Sequence, residues 1–460
     1  MISKWIIGSN DEKTVRELAA RGGISPLAAA ALVSMGYDTL EKAAAFFGQE
    51  GDNDDSDDGY SILSAGLSDP MTIKDMDKAC EIISEAVETG ESICVYGDYD
   101  CDGITATTLL VNYLGDMGAQ VIPYINERSE GYGMNCGAVR KLHEQGVGLI
   151  VTVDNGISCH EEAELCRELG IKLVITDHHM PGDKLPCAAA VVDPHRADCP
   201  SVYKNYCGCG IALMLVAALE GDMDVAVEQY SDLAAIATIA DIVPLDGENR
   251  IIVRHGLHFL ENTENAGLAA LMEKAGLKKP YNSRQVAFGI APRLNAAGRI
   301  GSPLDALAML GADDPEDAEE LSEKVCILNS RRKEIENSIM ADIINILEGS
   351  PGILEKRVLV IRGRGWDHGV IGIAASRVVE KFGKPVFLMS EEEGGEMLRG
   401  SARWAEGFDV FGALSFCGEL LDKFGGHKGA GGFSLKEENF DEFNRRLQEF
   451  AEKIIKEGGC

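Results

Sequence analysis

Four short motifs in this 460-residue chain have the composition of a divalent-metal centre. Asp98, Asp100 and Asp102 lie in Gly-Asp-Tyr-Asp-Cys-Asp-Gly. Asp154 opens Asp-Asn-Gly, Asp177-His178-His179 are contiguous, and Asp241 sits in Ala-Asp-Ile-Val-Pro. Several hard carboxylate oxygens with a histidine suit Mn²⁺ or Mg²⁺, one ion or two. Two cations about 3.5–4 Å apart need a shared ligand, normally a carboxylate. Asp98 and Asp100, one residue apart, point the same way in an extended segment and can address two neighbouring ions. Asp154 is then the natural bridge, and His178 and Asp241 complete the shell. The chemistry such a set supports is metal-assisted hydrolysis of a phosphoester. Any one of these aspartates alone reads equally well as a helix N-cap or a loop acid. Their joint occurrence beside His-His favours the metal.

The elements that must position them are legible in the flanking residues. The first three motifs each follow a short apolar run, 93–96, 149–153 and 173–176. Strands therefore end where the carboxylates begin, which is where open α/β sheets hold ligands. From about 71 to 243, strands at 93–97, 120–125, 149–153, 173–176 and 188–192 alternate with helices at 73–88, 104–117, 135–145 and 159–169. That alternation predicts an α/β fold with a doubly wound, mainly parallel sheet. Pro315 starts a long amphipathic helix to about 348, with Leu321, Val325, Leu328, Ile335, Ile339, Ile343 and Ile346 on its apolar stripe. It is expected to join the sheet domain to a smaller α/β domain with strands at 358–361 and 385–389 and a glycine-dense turn at 425–432. The expected domains are a helical segment with an acidic loop (1–60), the catalytic domain (61–250), a helical region with the bridging helix (251–354) and a substrate-binding domain (355–460). Ser25-Pro26 reads as the cap and first turn of an Ala-rich helix. The acidic loop 51–59 lacks the apolar position and terminal glutamate of a calcium-binding EF-hand.

Composition bounds the rest. The net charge is −32, the wrong sign for a nonspecific nucleic-acid coat. Residues 355–460 hold 16 basic and 18 acidic side chains, whereas residues 61–354 hold 22 and 46. The excess negative charge thus falls mainly where metal ligands are expected. No run of 18 apolar residues predicts a membrane span. With no export signal, the 13 cysteines read as reduced thiols, which implies a cytoplasmic protein.

The order of motifs resembles the DHH phosphoesterase superfamily: 97–103, Arg128 with Gly131-Tyr132-Gly133, 154–156, 177–179 and Ala240-Asp241. Within it, Ala291-Pro292-Arg293-Leu294-Asn295-Ala296-Ala297-Gly298-Arg299 and the Gly365-Trp366 segment resemble the RecJ family of single-strand-specific 5′→3′ DNA exonucleases. Residues 400–403 and 425–427 resemble the DHH-associated substrate domain. The resemblance implies a metal-dependent exonuclease of DNA repair and recombination. Its metal ligands would be Asp98, Asp100, Asp154, His178 and Asp241, with His179 touching the scissile phosphate or a metal-bound water. Arg128, Arg293, Arg299, Ser401, Arg403 and His427 would hold strand phosphates, the arginines as bidentate forks. Single-stranded DNA is the implied partner, with a helicase and a single-strand-binding protein as further candidates. The chain departs from the family at Asp367-His368, where Gly-Trp-His is usual, at Ala402 in place of a glycine, and at Cys94, a histidine in several smaller DHH enzymes. An asymmetric or one-metal shell therefore stays open. Longer members continue into an OB fold that grips the strand. None is read after Phe433, where a helix at about 440–456 follows, so a short form or a truncated sequence with weak binding is expected.

Two readings compete. A DHH phosphoesterase acting on short oligoribonucleotides, cyclic dinucleotides or pyrophosphate is disfavoured by the long helix and the Ala-Pro-Arg-Leu-Asn segment. An inactive scaffold is disfavoured by the full set of acidic ligands. Cys199, Cys207 and Cys209 lack zinc spacing, and Gly208-Cys209-Gly210-Ile211-Ala212 reads as a small-residue helix entrance. His195 reads as a polar loop residue, and His160, His255 and His258 as ordinary helical histidines. Trp366 and Trp404 are open to base stacking or to burial. The glycines at 425–432 are open to cradling a phosphate or to a tight strand turn.

Overall fold

The β-branched runs form strands because they are buried on both faces, as parallel sheets require. The computed structural model describes residues 11–47, 66–131, 133–392, 394–404 and 407–458, so the acidic loop 51–59 and Tyr132 lie outside the described residues. The chain divides into two units, Met1–Asn295 with Pro303–Glu323, and Ala296–Ser302 with Lys324–Cys460.

The first unit opens with three short helices, α1 (Glu12–Gly22), α2 (Pro26–Ser34) and α3 (Leu40–Phe47). Ser25 caps α2 by accepting the Ala28 N–H. A βα alternation follows: α4 (Met76–Thr89), β1 (Ser92–Gly97), α5 (Cys101–Asp116), β2 (Val121–Ile125), α6 (Cys136–Glu144), β3 (Val147–Val153), α7 (His160–Leu169), β4 (Lys172–Thr176) and β5 (Ala190–Val192). All five strands are parallel, in the order β2-β1-β3-β4-β5. Cys94, Tyr96, Ile150, Leu173 and Ile175 face a core that includes Ala138, Val139, Leu142, Ala163 and Cys166 of α6 and α7. The other sheet face is covered by α4, α5 and α8 (Gly208–Glu220), so the sheet is doubly wound as the alternation predicts. Its chain order reverses between β1 and β3, and the crevice beyond the carboxyl ends of such a pair is where open sheets bind ligands.

Helices complete the unit: α9 (Met223–Ala240), α10 (Gly247–Phe259), α11 (Ala266–Lys274), the one-turn α12 (Ser283–Gln285), a π-turn at Val286–Ile290, α13 (Ala291–Ile300) and α14 (Pro303–Leu310). The Ala-Pro-Arg-Leu-Asn segment is thus helical. The long helix is α15 (Pro315–Gly349), followed by one turn, α16 (Gly352–Glu355).

The second unit contains β6 (Leu359–Arg364), α17 (Ile371–Phe382), β7 (Val386–Glu391), β8 (Met397–Arg403), α18 (Val410–Phe416), β9 (Leu421–His427), β10 (Ala430–Lys436) and α19 (Phe440–Gly458). The sheet order is β6-β7-β8-β10-β9, with only β6 and β7 parallel. One face packs on Ile339, Ile343 and Leu347 of α15 and on α17. The opposite face holds Phe387, Phe433 and Phe443 together with α18. Trp366 is 4 % exposed in the first of these cores and donates its indole N–H to Asp342 (3.2 Å). Burial removes it as a base-stacking platform. The glycine run resolves as strand and turn: Gly425 pairs Gly432 and Gly426 pairs Gly431, leaving Lys428-Gly429 as the connection.

Glycine in a helix costs about 1 kcal/mol relative to alanine, so substitution normally stabilises. At Gly256 of α10 a Cβ would lie 2.0 Å from the Ser231 carbonyl oxygen of α9, whereas at Gly115 of α5 it meets nothing within 4 Å. Gly256→Ala is expected to lose about 1–3 kcal/mol by overpacking, and Gly115→Ala to gain up to about 1 kcal/mol. Urea unfolding of the two variants should shift in opposite directions; shifts of the same sign would refute the close α9–α10 crossing.

Candidate metal centre

Each motif supplies its carboxylate from the end of a regular element. Asp98 directly follows β1, Asp154 follows β3, Asp177 follows β4, and Asp241 closes α9, with its N–H on the Ala237 carbonyl (2.9 Å). Asp100 is the N-cap of α5: its Oδ1 accepts the N–H groups of Asp102 (2.9 Å) and Gly103 (3.2 Å). That cap starts α5 at Cys101, three residues before the apolar periodicity shows. One oxygen thus holds the helix end, and Asp100 still offers a ligand atom to the cluster.

Ligand atoms of Asp98, Asp100 and Asp154 lie within 4.8 Å of one another, as do those of Asp154, His178 and His179, and those of Asp102, His178 and Asp241. Asp154 belongs to two of these groups, the position of a shared ligand. His178 Nε2 is 3.1 Å from Asp154 Oδ1 and 3.8 Å from both Asp102 Oδ2 and Asp241 Oδ2. Although 3.1 Å is hydrogen-bond range, the Nε2 makes no hydrogen bond to Asp154, and the buried Asp98 Oδ1 likewise has no partner. Buried, unpartnered atoms within overlapping groups of hard oxygens and imidazole nitrogen fit a divalent cation.

Electrostatics fit the same reading. Burial, then the neighbouring Asp100, pushes the Asp98 carboxyl up to about 8. Burial, then Asp102 and Asp100, raises Asp241 to about 8. Burial beside the other aspartates holds Asp154 well above the ordinary range, and Asp102 is raised as well. Burial lowers His178, leaving a neutral ring able to ligate. His179 goes the other way. Partial desolvation lowers it, but pairing with Asp177 outweighs that and raises it to about 9. The contact runs from Nδ1 to Asp177 Oδ1 at 2.8 Å. Asp177 is no member of the cluster. It accepts the His178 and His179 N–H groups at 2.7 and 3.1 Å and that of Ile157 at 2.9 Å. Its carboxyl stays below the usual range in spite of complete burial.

Asp102 was not expected in the shell. It is buried, and its two oxygens accept the Gly208 and Cys209 N–H groups at the start of α8, both at 2.7 Å. Gly208 must be glycine, since a Cβ there would come within 2.4 Å of the Asp154 Cβ. The small-residue entrance read in 208–212 is therefore a close approach behind the cluster. Asn295 was also not singled out; its Oδ1 accepts the Cys101 N–H (3.0 Å), tying α13 to the start of α5. The only signal for Asp102 was its place in the Asp-x-Asp-x-Asp spacing.

Of the expected phosphate contacts, Arg128 is exposed with its guanidinium carbon 5.2 Å from the ring centre of Tyr99, which lies between Asp98 and Asp100. Arg293 donates to the Gly289 carbonyl, and its buried Nε has no partner. The other four belong to the second unit. Arg299 donates to the Gly369 carbonyl (3.2 Å). Arg403 bonds Ser401 Oγ (2.8 Å) on β8. Arg403, Ala430 and His427 stand opposite one another across β8, β10 and β9. Asp367, one of the departures, accepts the Gly369 N–H (2.7 Å) just before α17.

Two family models match the chain: "DHH family, N-terminal domain" over residues 92–238 and "DHHA1 domain" over residues 355–453. The single-stranded-DNA-specific exonuclease RecJ of Bacillus subtilis is 38% identical over 456 residues, covering 99% of this chain. The chain spans 56% of that relative's length. RecJ of Escherichia coli is 36% identical over 408 residues, covering 84% of this chain and 70% of the relative. The crystal structure of RecJ from Thermus thermophilus in complex with Mn²⁺ superposes with a TM-score of 0.81 at 32% identity, covering 97% of this chain and 62% of that one.

Without metal, folding moves Asp98 and Asp241 from 3.8 to about 8 and His179 from 6.5 to about 9. The folded state then holds more protons than the unfolded one across that window, so stability falls as pH rises. Chelator-treated protein is expected to lose Tm steadily from about pH 5 to pH 8, and Mn²⁺ to restore most at the alkaline end. A Tm indifferent to both pH and Mn²⁺ would refute the site.

Proposed function

Because the chain belongs to the RecJ family of DHH phosphoesterases, we propose that it is a metal-dependent exonuclease that hydrolyses phosphodiester bonds of single-stranded DNA from the 5′ end. The observation that supports this most directly is that Asp98, Asp100, Asp154, His178 and Asp241 fall in overlapping groups of close ligand atoms, with Asp98 Oδ1 and His178 Nε2 buried and unpartnered. Asp98, Asp100 and Asp154 would hold one Mn²⁺ or Mg²⁺, and Asp154, His178 and Asp241 a second. A divalent cation there supplies Lewis-acid polarisation of the phosphoryl group and lowers the pKa of the attacking water.

The remaining work falls to the protein's own groups. The two histidines differ in protonation, with His178 neutral and His179 cationic, and groups pushed apart in this way take separate roles. His179, held at Nδ1 by Asp177, presents positive charge and a proton to the reacting phosphate. Arg128 and Arg293 hold strand phosphates on the first unit; Arg299, Ser401, Arg403 and His427 do so on the second. Local arginine forks allow a polyanion to bind a chain of net charge −32. A 5′→3′ single-strand nuclease acts where DNA is repaired and recombined, with a helicase and a single-strand-binding protein as candidate partners that present the strand. We place it in the cytoplasm with its substrate. Among the described residues no helix is long and apolar enough to cross a membrane.

Digestion of single-stranded DNA labelled at either end, with Mn²⁺ or Mg²⁺, tests the reading. Early release of a 5′ label is expected, and a preference for dinucleotides over longer strands would instead indicate a small-substrate phosphoesterase. Asp154→Ala is expected to lower the rate at least about a hundredfold, the scale of removing one electrostatic contact to a transition state. An unchanged rate would end the assignment.

A further inference from the structure

This inference rests on the nuclease reading above. After α9 closes at Asp241, the next position takes left-handed backbone, where helices commonly finish on glycine. Here it holds Ile242, at φ 61°, a conformation that β-branched residues rarely adopt. Burial does not compensate, because Ile242 is 87% exposed. Among the described residues only Asp75 and Asp154 share a positive φ without being glycine. Each of those has an evident role: Asp75 pairs with Lys78 and Arg196, and Asp154 is central to the carboxylate cluster. Strain that brings the folded chain no packing points to something outside it, and strained positions concentrate at functional sites.

The neighbourhood says what that is. Asp241 Oδ2 lies 3.8 Å from His178 Nε2, and Met180, two residues past His178, is also exposed. Two apolar side chains therefore leave the backbone within two residues of groups that attend the scissile phosphodiester. Every phosphodiester carries a nucleoside on each side, whose sugar carbons and base faces are its apolar surface, and contacts to them tolerate any sequence. We propose that Ile242 is a substrate-binding contact that packs against the sugar and base of the nucleotide adjoining the scissile phosphodiester, held there by its left-handed backbone.

Glycine suits this backbone and removes the apolar surface; asparagine tolerates it and is polar. Ile242→Gly and Ile242→Asn are expected to keep or raise Tm while raising KM for a single strand of about twenty nucleotides roughly tenfold. Ile242→Val, which keeps a branched apolar side chain and removes a single methylene, is expected to stay within about fourfold of native. A merely structural role would move Tm and KM together. Native KM in the Gly and Asn variants, or an equal loss in the Val variant, would overturn the proposal, and the Asn variant decides if the Gly variant fails to fold. A native chain that cleaves no DNA would overturn the nuclease reading itself.

Discussion

Buried like charge is the constraint around which the first unit is organised. Asp98, Asp102 and Asp154 are all buried, with Asp100 and Asp241 beside them. Carboxylates so close cannot all ionise without a counter-charge, and an isolated buried carboxylate is far too costly to persist. The sheet forces them together anyway, because β1 and β3 are neighbours with opposite connection directions and both end in aspartate. The cluster is therefore a site with a strong appetite for a small divalent cation and poor stability when left charged and empty of one.

Helix ends and close glycine contacts keep this arrangement rigid. Asp100 caps α5 while still offering a ligand atom. Asp102 takes up the two amides that open α8, and helix N-termini favour negative charge. Gly208 then lets α8 approach Asp154 more closely than any side chain would permit. Asp177 does the same for the histidines, gripping both backbone amides and the His179 ring, whose charge it stabilises, while burial keeps His178 neutral. The ligand atoms and the charged His179 ring are thus fixed in place by helix ends and by Asp177.

The second unit solves a different problem. Its sheet carries no carboxylate cluster among the described residues but lines up Arg403 and His427 across strands whose intervening positions are alanine and glycine. Small residues there keep the surface low beside the guanidinium. Gly372 makes the same allowance on α17, where a Cβ would sit 2.7 Å from Arg403 Nη2.

Strand runs, their alternation with helices and the order of the acidic motifs were all legible in the chain, because a strand buried on both faces must be continuously apolar and its polar end then stands out. The doubly wound sheet, the long helix from Pro315 and the membership of Asp98, Asp100, Asp154, His178 and Asp241 in one candidate set follow from that local pattern. The roles of Asp102, Asn295 and Gly208, the burial of Trp366 and the left-handed Ile242 did not. Each depends on what lies opposite in space, more than a hundred residues away in the case of Asp102 and α8. Periodicity reports which face of an element is apolar. Only the folded chain decides which neighbours meet across it, because those contacts are set by sheet order and helix approach rather than by spacing along the backbone.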